Sequence, residues 1–66
     1  MKIMMYGLYG GMANTKCYYR KLGDCFDFVN DIKYASDLTD DEANHIIENG
    51  DWYRDCYKAD GIKIVD

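Results

Sequence analysis

The chain has 66 residues, 48% of them hydrophobic, and a net charge of −4, so it can build one small domain with its own core. Ten aromatic residues and the lack of proline argue against a disordered segment. No run approaches the roughly 18 apolar residues of a membrane span and no secretory leader is visible, so we expect one cytoplasmic domain over residues 1–66.

The first two predicted elements are strands joined as a hairpin. Residues 2–9 are apolar on both alternating faces, and residues 16–22 mix tyrosines with bases. The segment from Gly10 to Thr15 between them is rich in turn residues. Charge is already uneven in this part of the chain, because residues 1–23 carry four bases and no acid.

Residues 25–35 are predicted to form the first helix. Asp24 is a candidate N-cap, and Asp27 and Asp31 lie off the apolar stripe. That stripe recurs at helical spacing and consists of Cys25, Phe28, Val29, Ile32 and Ala35. One side of the helix should therefore pack against the sheet.

The clearest signal in the chain predicts a second helix over residues 40–49. Thr39 and Glu42 have the spacing of a capping box, in which each side chain accepts a hydrogen bond from the other residue's backbone N–H. The two aspartates after Thr39 complement the positive end of the helix dipole. Gly50 supplies a left-handed position at the end of the helix.

Residues 52–59 and 62–65 are predicted as the third and fourth strands. A two-residue hairpin turn at Asp60 and Gly61 would join them in antiparallel register. The resulting order, ββααββ, is that of a small two-layer α+β domain. We expect a mostly antiparallel four-stranded sheet with both helices on one face.

Residues 24–51 hold nine acids against Lys33 alone. A surface of this charge density attracts basic protein grooves and repels nucleic acid and membrane phosphates. We therefore expect a protein partner with a basic surface, and no direct binding to nucleic acid or membrane. A solvated, well-capped helix pair is the plainer interpretation of the same acids. The candidate protein-binding residues are Asp27, Asp31, Asp37, Asp40, Asp41, Glu42, Glu48 and Asp51.

The sheet face that the helices leave uncovered is a second candidate interface. The first strand is apolar on both sides, so methionine and aromatic side chains should be exposed there among bases. We assign Tyr6 and Trp52 to this face. It would support a homodimer, unless tyrosines and lysines simply cover one another.

No motif indicates catalysis or a cofactor. The chain has no nucleophile elbow, phosphate-binding loop or HExxH motif, so we expect a protein that is not an enzyme. The cysteine and histidine spacings match no zinc-ligand pair, and an odd cysteine count without CxxC is not a disulfide framework. The residues in question are Cys17, Cys25, His45 and Cys56. We expect no bound metal or cofactor.

The composition of the second predicted strand indicates a different function, the binding of nucleic acid. Residues 16–21 interleave three bases with Tyr18 and Tyr19, and tyrosine can stack on a nucleobase while a base neutralises phosphate. Strands favour tyrosine for packing reasons alone, and a net charge of −4 opposes unassisted binding. We therefore favour binding of a protein partner over binding of nucleic acid.

In length, in the acidic block from Asp24 to Asp51 and in its tyrosine-rich, proline-free composition, the chain resembles small acidic inhibitors made by bacteriophages, anti-CRISPR proteins in particular. The resemblance implies a non-catalytic inhibitor encoded by a phage or mobile element. Such a protein acts as a DNA mimic that occupies the basic groove of a bacterial defence nuclease, for example a CRISPR effector. The alternative function is a small homodimeric structural or regulatory module that associates through its aromatic sheet face.

Overall fold

The computed structural model describes residues 1–11 and 15–65, and its four strands form one antiparallel sheet. The strands are β1 (Lys2–Tyr6), β2 (Lys16–Leu22), β3 (Cys25–Val29) and β4 (Gly61–Val65). Their order across the sheet is β3-β2-β1-β4, which makes β1 and β2 the central strands. The helices are the single turn α1 (Leu8–Gly11), α2 (Asp40–Glu48) and α3 (Gly50–Tyr57), and a 3-10 turn spans Ile32–Tyr34.

The predicted class is confirmed, since the protein is a small α+β domain with a four-stranded antiparallel sheet and two principal helices. The hairpin of β1 with β2 is also confirmed, with Met5 opposite Cys17. β1 ends at Tyr6 rather than at residue 9, because Gly7 turns the chain with φ 68°. The predicted loop over residues 10–15 falls partly on residues 12–14, which lie outside the described residues.

The predicted first helix over residues 25–35 is wrong, because its first half is strand β3 and its second half holds only the 3-10 turn. Phe26 and Phe28 alternate with Cys25 and Asp27, so a period of two competes with the helical spacing in this segment. The strand wins because Phe26 and Phe28 place their rings against α3.

The predicted third strand over residues 52–59 is also wrong, because this segment belongs to α3. Tyr53 and Tyr57 are four residues apart and therefore lie on one side of a helix, where both are half-buried. Lys58, at φ 49°, is the left-handed residue that ends α3. Gly50 is the first residue of α3, and a Cβ there would lie 3.0 Å from Ile62 Cγ2, so glycine permits close packing of the helix on the sheet.

The element order is therefore βββααβ rather than ββααββ, with α1 and the 3-10 turn as short additions. Asp60 and Gly61 do not form a hairpin turn between two strands. Gly61 begins β4, and β4 pairs antiparallel with β1, which sets Ile62 opposite Met5. The last strand thus closes the sheet beside the first one.

The helices and the sheet share a core with an aliphatic and an aromatic part. Ile3, Ala43 and Ile46 are at most 5% exposed and pack together with Leu38. Burying an isoleucine or leucine side chain contributes about 1.5–3 kcal/mol. The aromatic part joins β2 and β3 to α3 and consists of Tyr19, Phe26, Phe28, Trp52, Tyr53 and Tyr57. Both parts lie on the same face of the sheet.

Candidate protein-binding surface

The predicted acidic residues do not form one continuous patch. Asp27 lies on β3, opposite Arg20 of β2. The Arg20 guanidinium donates to the Asp27 carboxylate at 2.8 Å, and this hydrogen bond lowers the pKa of Asp27. Since Asp27 follows Phe26 on a strand, it faces away from the helices. Its charge is therefore neutralised on the sheet.

Asp31 and Asp37 also have local partners. The Asp31 carboxylate caps the 3-10 turn by accepting from the Lys33 backbone N–H at 3.1 Å. The amino group of Met1 donates to Asp37 at 2.7 Å, and this contact lowers the pKa of the Asp37 carboxyl group. Asp31 is thus explained by the capping of its own turn, whereas Asp37 pairs with Met1, which precedes β1, and the Asp37 side chain is 84% exposed.

Glu42 is held by the confirmed capping box. Its carboxylate accepts from the Thr39 backbone N–H at 3.0 Å, and the Thr39 hydroxyl accepts from the Glu42 N–H at 3.2 Å. The Lys21 ammonium donates to the same carboxylate at 2.6 Å. Chiefly through this last bond, the pKa of Glu42 falls to about 2. Glu42 therefore ties α2 to β2 and is not an unpaired surface charge.

Four of the predicted acids remain exposed on the helices, namely Asp40, Asp41, Glu48 and Asp51. Asp41 and Glu48 are seven residues apart on α2 and so lie on its outer side, away from buried Ala43. Asp40 lies on the flank of the same helix. Asp51 is paired with Arg54, yet its side chain is 87% exposed.

Two residues that we did not place on this surface complete it. Asp55 follows Asp51 by one helical turn, and both lie on the outer side of α3. Trp52 lies beside them and is 56% exposed. We call the set of Asp41, Glu48, Asp51, Trp52 and Asp55 the acidic helical surface. A correct helical assignment of residues 50–57 would have revealed it, because the spacing of its acids is visible in the sequence.

The assignment of Trp52 to the uncovered sheet face is therefore wrong. Its ring packs against Tyr53, with centroids 4.9 Å apart, and against Phe26 at 6.2 Å, on the helical side of the sheet. Tyr6 is 38% exposed, and its phenol end lies over Gly61 on the opposite face. Tyr6 and Trp52 thus belong to two different surfaces.

The described residues hold no group of three or more His, Cys, Asp or Glu side chains that could bind a metal ion. Cys17 is buried on β2, and its burial raises the pKa of the thiol to about 11. Cys25 on β3 and Cys56 on α3 are exposed free thiols, and His45 is exposed on α2. Cys17, Cys25, His45 and Cys56 thus lie on four separate elements.

Within residues 1–11 and 15–65, no helix has both the length and the apolar character needed to cross a membrane. Comparison with protein-family models, with curated proteins and with solved structures finds no match to this chain.

Proposed function

We propose that the protein is a non-catalytic binding module whose acidic helical surface engages a basic surface of a partner protein. The partner class that the resemblance to phage inhibitors implies is a bacterial defence nuclease complex, whose nucleic-acid groove would be occupied. A phage or mobile element would then encode the chain. The proposal rests on the geometry of α2 and α3.

The exposure of Trp52 among carboxylates is the observation that carries the proposal. Tryptophan is among the residues most enriched where protein interfaces concentrate their binding energy. An indole that is 56% exposed leaves apolar area that a partner can cover. Asp51 and Asp55 flank it on the same side of α3, as polar groups flank the apolar centre of an interface.

The negative charge of the acidic helical surface determines which class of partner it binds. The helical pair from residue 40 to residue 57 carries six acids and one base, Arg54. Exposed acids at the rim of an interface mainly raise the association rate with a basic partner and repel acidic ones. The apolar centre and the acidic rim therefore support one specific kind of partner.

The alternative function, a homodimer through the sheet face, has less support. With Trp52 on α3, that face carries Tyr6, which is 38% exposed, the half-buried Tyr18, and Lys16 and Lys63. A contact between two copies through this face would take these lysines out of water, and the desolvation of charged groups opposes association.

A charge reversal at helix ends tests the proposal without disturbing the fold. Glu48 and Asp55 lie near the C-terminal ends of α2 and α3, where the helix dipole favours a cation. Glu48→Lys with Asp55→Lys should therefore stay folded while the charge of the surface changes sign locally. The control is Asp24→Lys with Asn30→Lys and Asp31→Asn, which changes the net charge equally at exposed sites outside this surface and keeps a capping side chain at residue 31.

Tagged wild-type protein and both variants are incubated with a bacterial lysate, and the captured proteins are quantified by mass spectrometry. We expect a partner that is retained by the wild type and the control, is lost from the Glu48 and Asp55 variant, and dissociates at high salt. Equal capture by all three proteins would refute the proposed surface.

A further inference from the structure

A groove on the other face of the sheet is not used by the proposed function. Residues directly opposed on neighbouring strands share a face, and the register opposes Tyr6 to Lys16 and Met4 to Lys63. The alternation of β1 places Met4 and Tyr6 away from buried Ile3, which packs against the helices. These four side chains therefore lie on the face opposite to the helices.

The groove has a volume of about 560 Å³ and is open to solvent. Its lining includes apolar Met4 and Tyr6, the side chains of Lys16 and Lys63, and one acid, Asp60. The Lys63 ammonium lies over the face of the Tyr6 ring, 5.6 Å from its centroid, so a ligand that stacks on this ring takes the place of the flexible lysine head. A flat aromatic ring and two cations thus border one opening.

We propose that this groove binds single-stranded nucleic acid, with one base stacked on Tyr6 and neighbouring phosphates beside Lys16 and Lys63. Each base has an apolar face that stacks on tyrosine, and each nucleotide carries the negative charge that the lysines attract. A base inside a duplex is covered on both faces by its neighbours, so an unpaired strand is the form that fits.

The exposed part of the sheet face opposite to the helices limits where the nucleic acid can lie. At the other end of β1, the Lys2 ammonium donates to the Ile32 carbonyl oxygen at 3.5 Å, which places the 3-10 turn at that end. The exposed part of the face is therefore the region around Tyr6, on central strand β1 and its neighbours. A strand of a few nucleotides covers such an area.

The net charge of −4 does not oppose this proposal, because the six acids of α2 and α3 lie on the other side of the sheet, and the groove itself is lined by two lysines and one acid, Asp60. The acids of α2 and α3 lie on the helical side, and the lysines of the groove on the other. The sheet and the helical layer separate the two sets of side chains, and interactions between exposed charges fall off beyond the Debye length of about 8 Å at physiological salt. The helical acids are therefore largely screened from a ligand in the groove.

Binding is tested with a fluorescently labelled oligothymidylate of about twelve nucleotides, by anisotropy at several salt concentrations. Lys16→Gln with Lys63→Gln should reduce the slope of log affinity against log salt by about 1.4, at about 0.7 per phosphate released from contact. Lys33→Gln with Lys58→Gln removes two exposed lysines that do not line the groove, and this control should keep more of the slope.

A second variant separates stacking from charge. Tyr6→Leu keeps apolar bulk over Gly61 but removes the ring, so the affinity for the oligothymidylate should fall about tenfold. The affinity for inorganic polyphosphate, which has no bases, should not change. This pair of results would support the proposal independently of any partner of the acidic helical surface.

Three results would overturn the inference. One is no binding of the oligonucleotide at about 50 mM salt. Another is equal loss of polyphosphate and oligonucleotide binding in the lysine variant with no effect of Tyr6→Leu, which would leave only attraction of polyanions. The third is a mass above that of the monomer in size-exclusion chromatography that returns to the monomer in the lysine variant, which would assign the groove to the acidic helices of a second copy.

Discussion

The rings of Trp52 and Phe26 meet edge to face with their centroids 6.2 Å apart, and this contact connects the acidic helical surface to the aromatic part of the core. One edge of the indole is thus held by β3 while more than half of the side chain stays in solvent. Such support pre-orients an exposed side chain, which lowers the entropy cost of binding a partner.

Phe28 should matter more for stability than Trp52. Its ring contacts Tyr19, Tyr53 and Tyr57 at centroid distances of 5.7, 6.1 and 5.0 Å. Phe28→Ala should therefore lower the free energy of unfolding by about 3 kcal/mol through the cavity that it leaves. Trp52→Ala should cost about 1 kcal/mol, because most of that side chain is already exposed. Urea unfolding followed by circular dichroism measures both, and a larger loss for Trp52→Ala would contradict this description of the core.

Ionisation of Glu42 in the capping box should make the free energy of unfolding depend on pH in the acidic range. The pKa of Glu42 is lowered from its ordinary 4.5 to about 2, so the folded state favours the ionised carboxylate. This contribution is fully present above pH 4.5 and is lost as the pH falls from about 4.5 to about 2. In urea unfolding at a series of pH values, the advantage of the wild type over Glu42→Gln should shrink across this interval. A difference that stays constant down to pH 2 would show that the bond to Lys21 does not hold Glu42 in solution.

The three thiols should divide into two classes. Cys17 is 4% exposed and has a raised pKa, whereas Cys25 and Cys56 are exposed. Because the thiolate is the reactive form, an aromatic disulfide reagent should titrate two thiols in the folded protein and the third only after denaturation. Cys25→Ser with Cys56→Ser should abolish the fast reaction. Three thiols reacting at one rate in the folded protein would place Cys17 at the surface.

The sequence predicts best those elements whose signals are local. Thr39 and Glu42 specify the start of α2 through two hydrogen bonds that lie within four residues. The strands β1 and β2 are equally evident, because each is a short run rich in apolar residues or tyrosine and a turn-rich segment separates them. The class of the fold followed from these elements and from β4.

The two wrong assignments were decided by contacts between distant segments. The pattern of residues 25–29 is compatible with a helix or a strand. The strand is favoured because it lets Phe26 pack against Tyr53, which is distant in the sequence. Residues 50–57 become helix because Tyr53 and Tyr57 face the rings of β3. Tertiary packing overrides local preference in such segments, so the place of Trp52 in the candidate site could not be predicted separately from the fold.

The most direct test of the central claim is capture of a partner by the Trp52→Ala variant. Tyr34→Ala is the matched control, because Tyr34 is 58% exposed and lies on the 3-10 turn, outside the acidic helical surface. Circular dichroism first establishes that both variants are folded. We predict that the partner captured by the wild type and by Tyr34→Ala, at low salt, is lost from Trp52→Ala. Undiminished capture by folded Trp52→Ala would contradict the claim that this surface binds the partner.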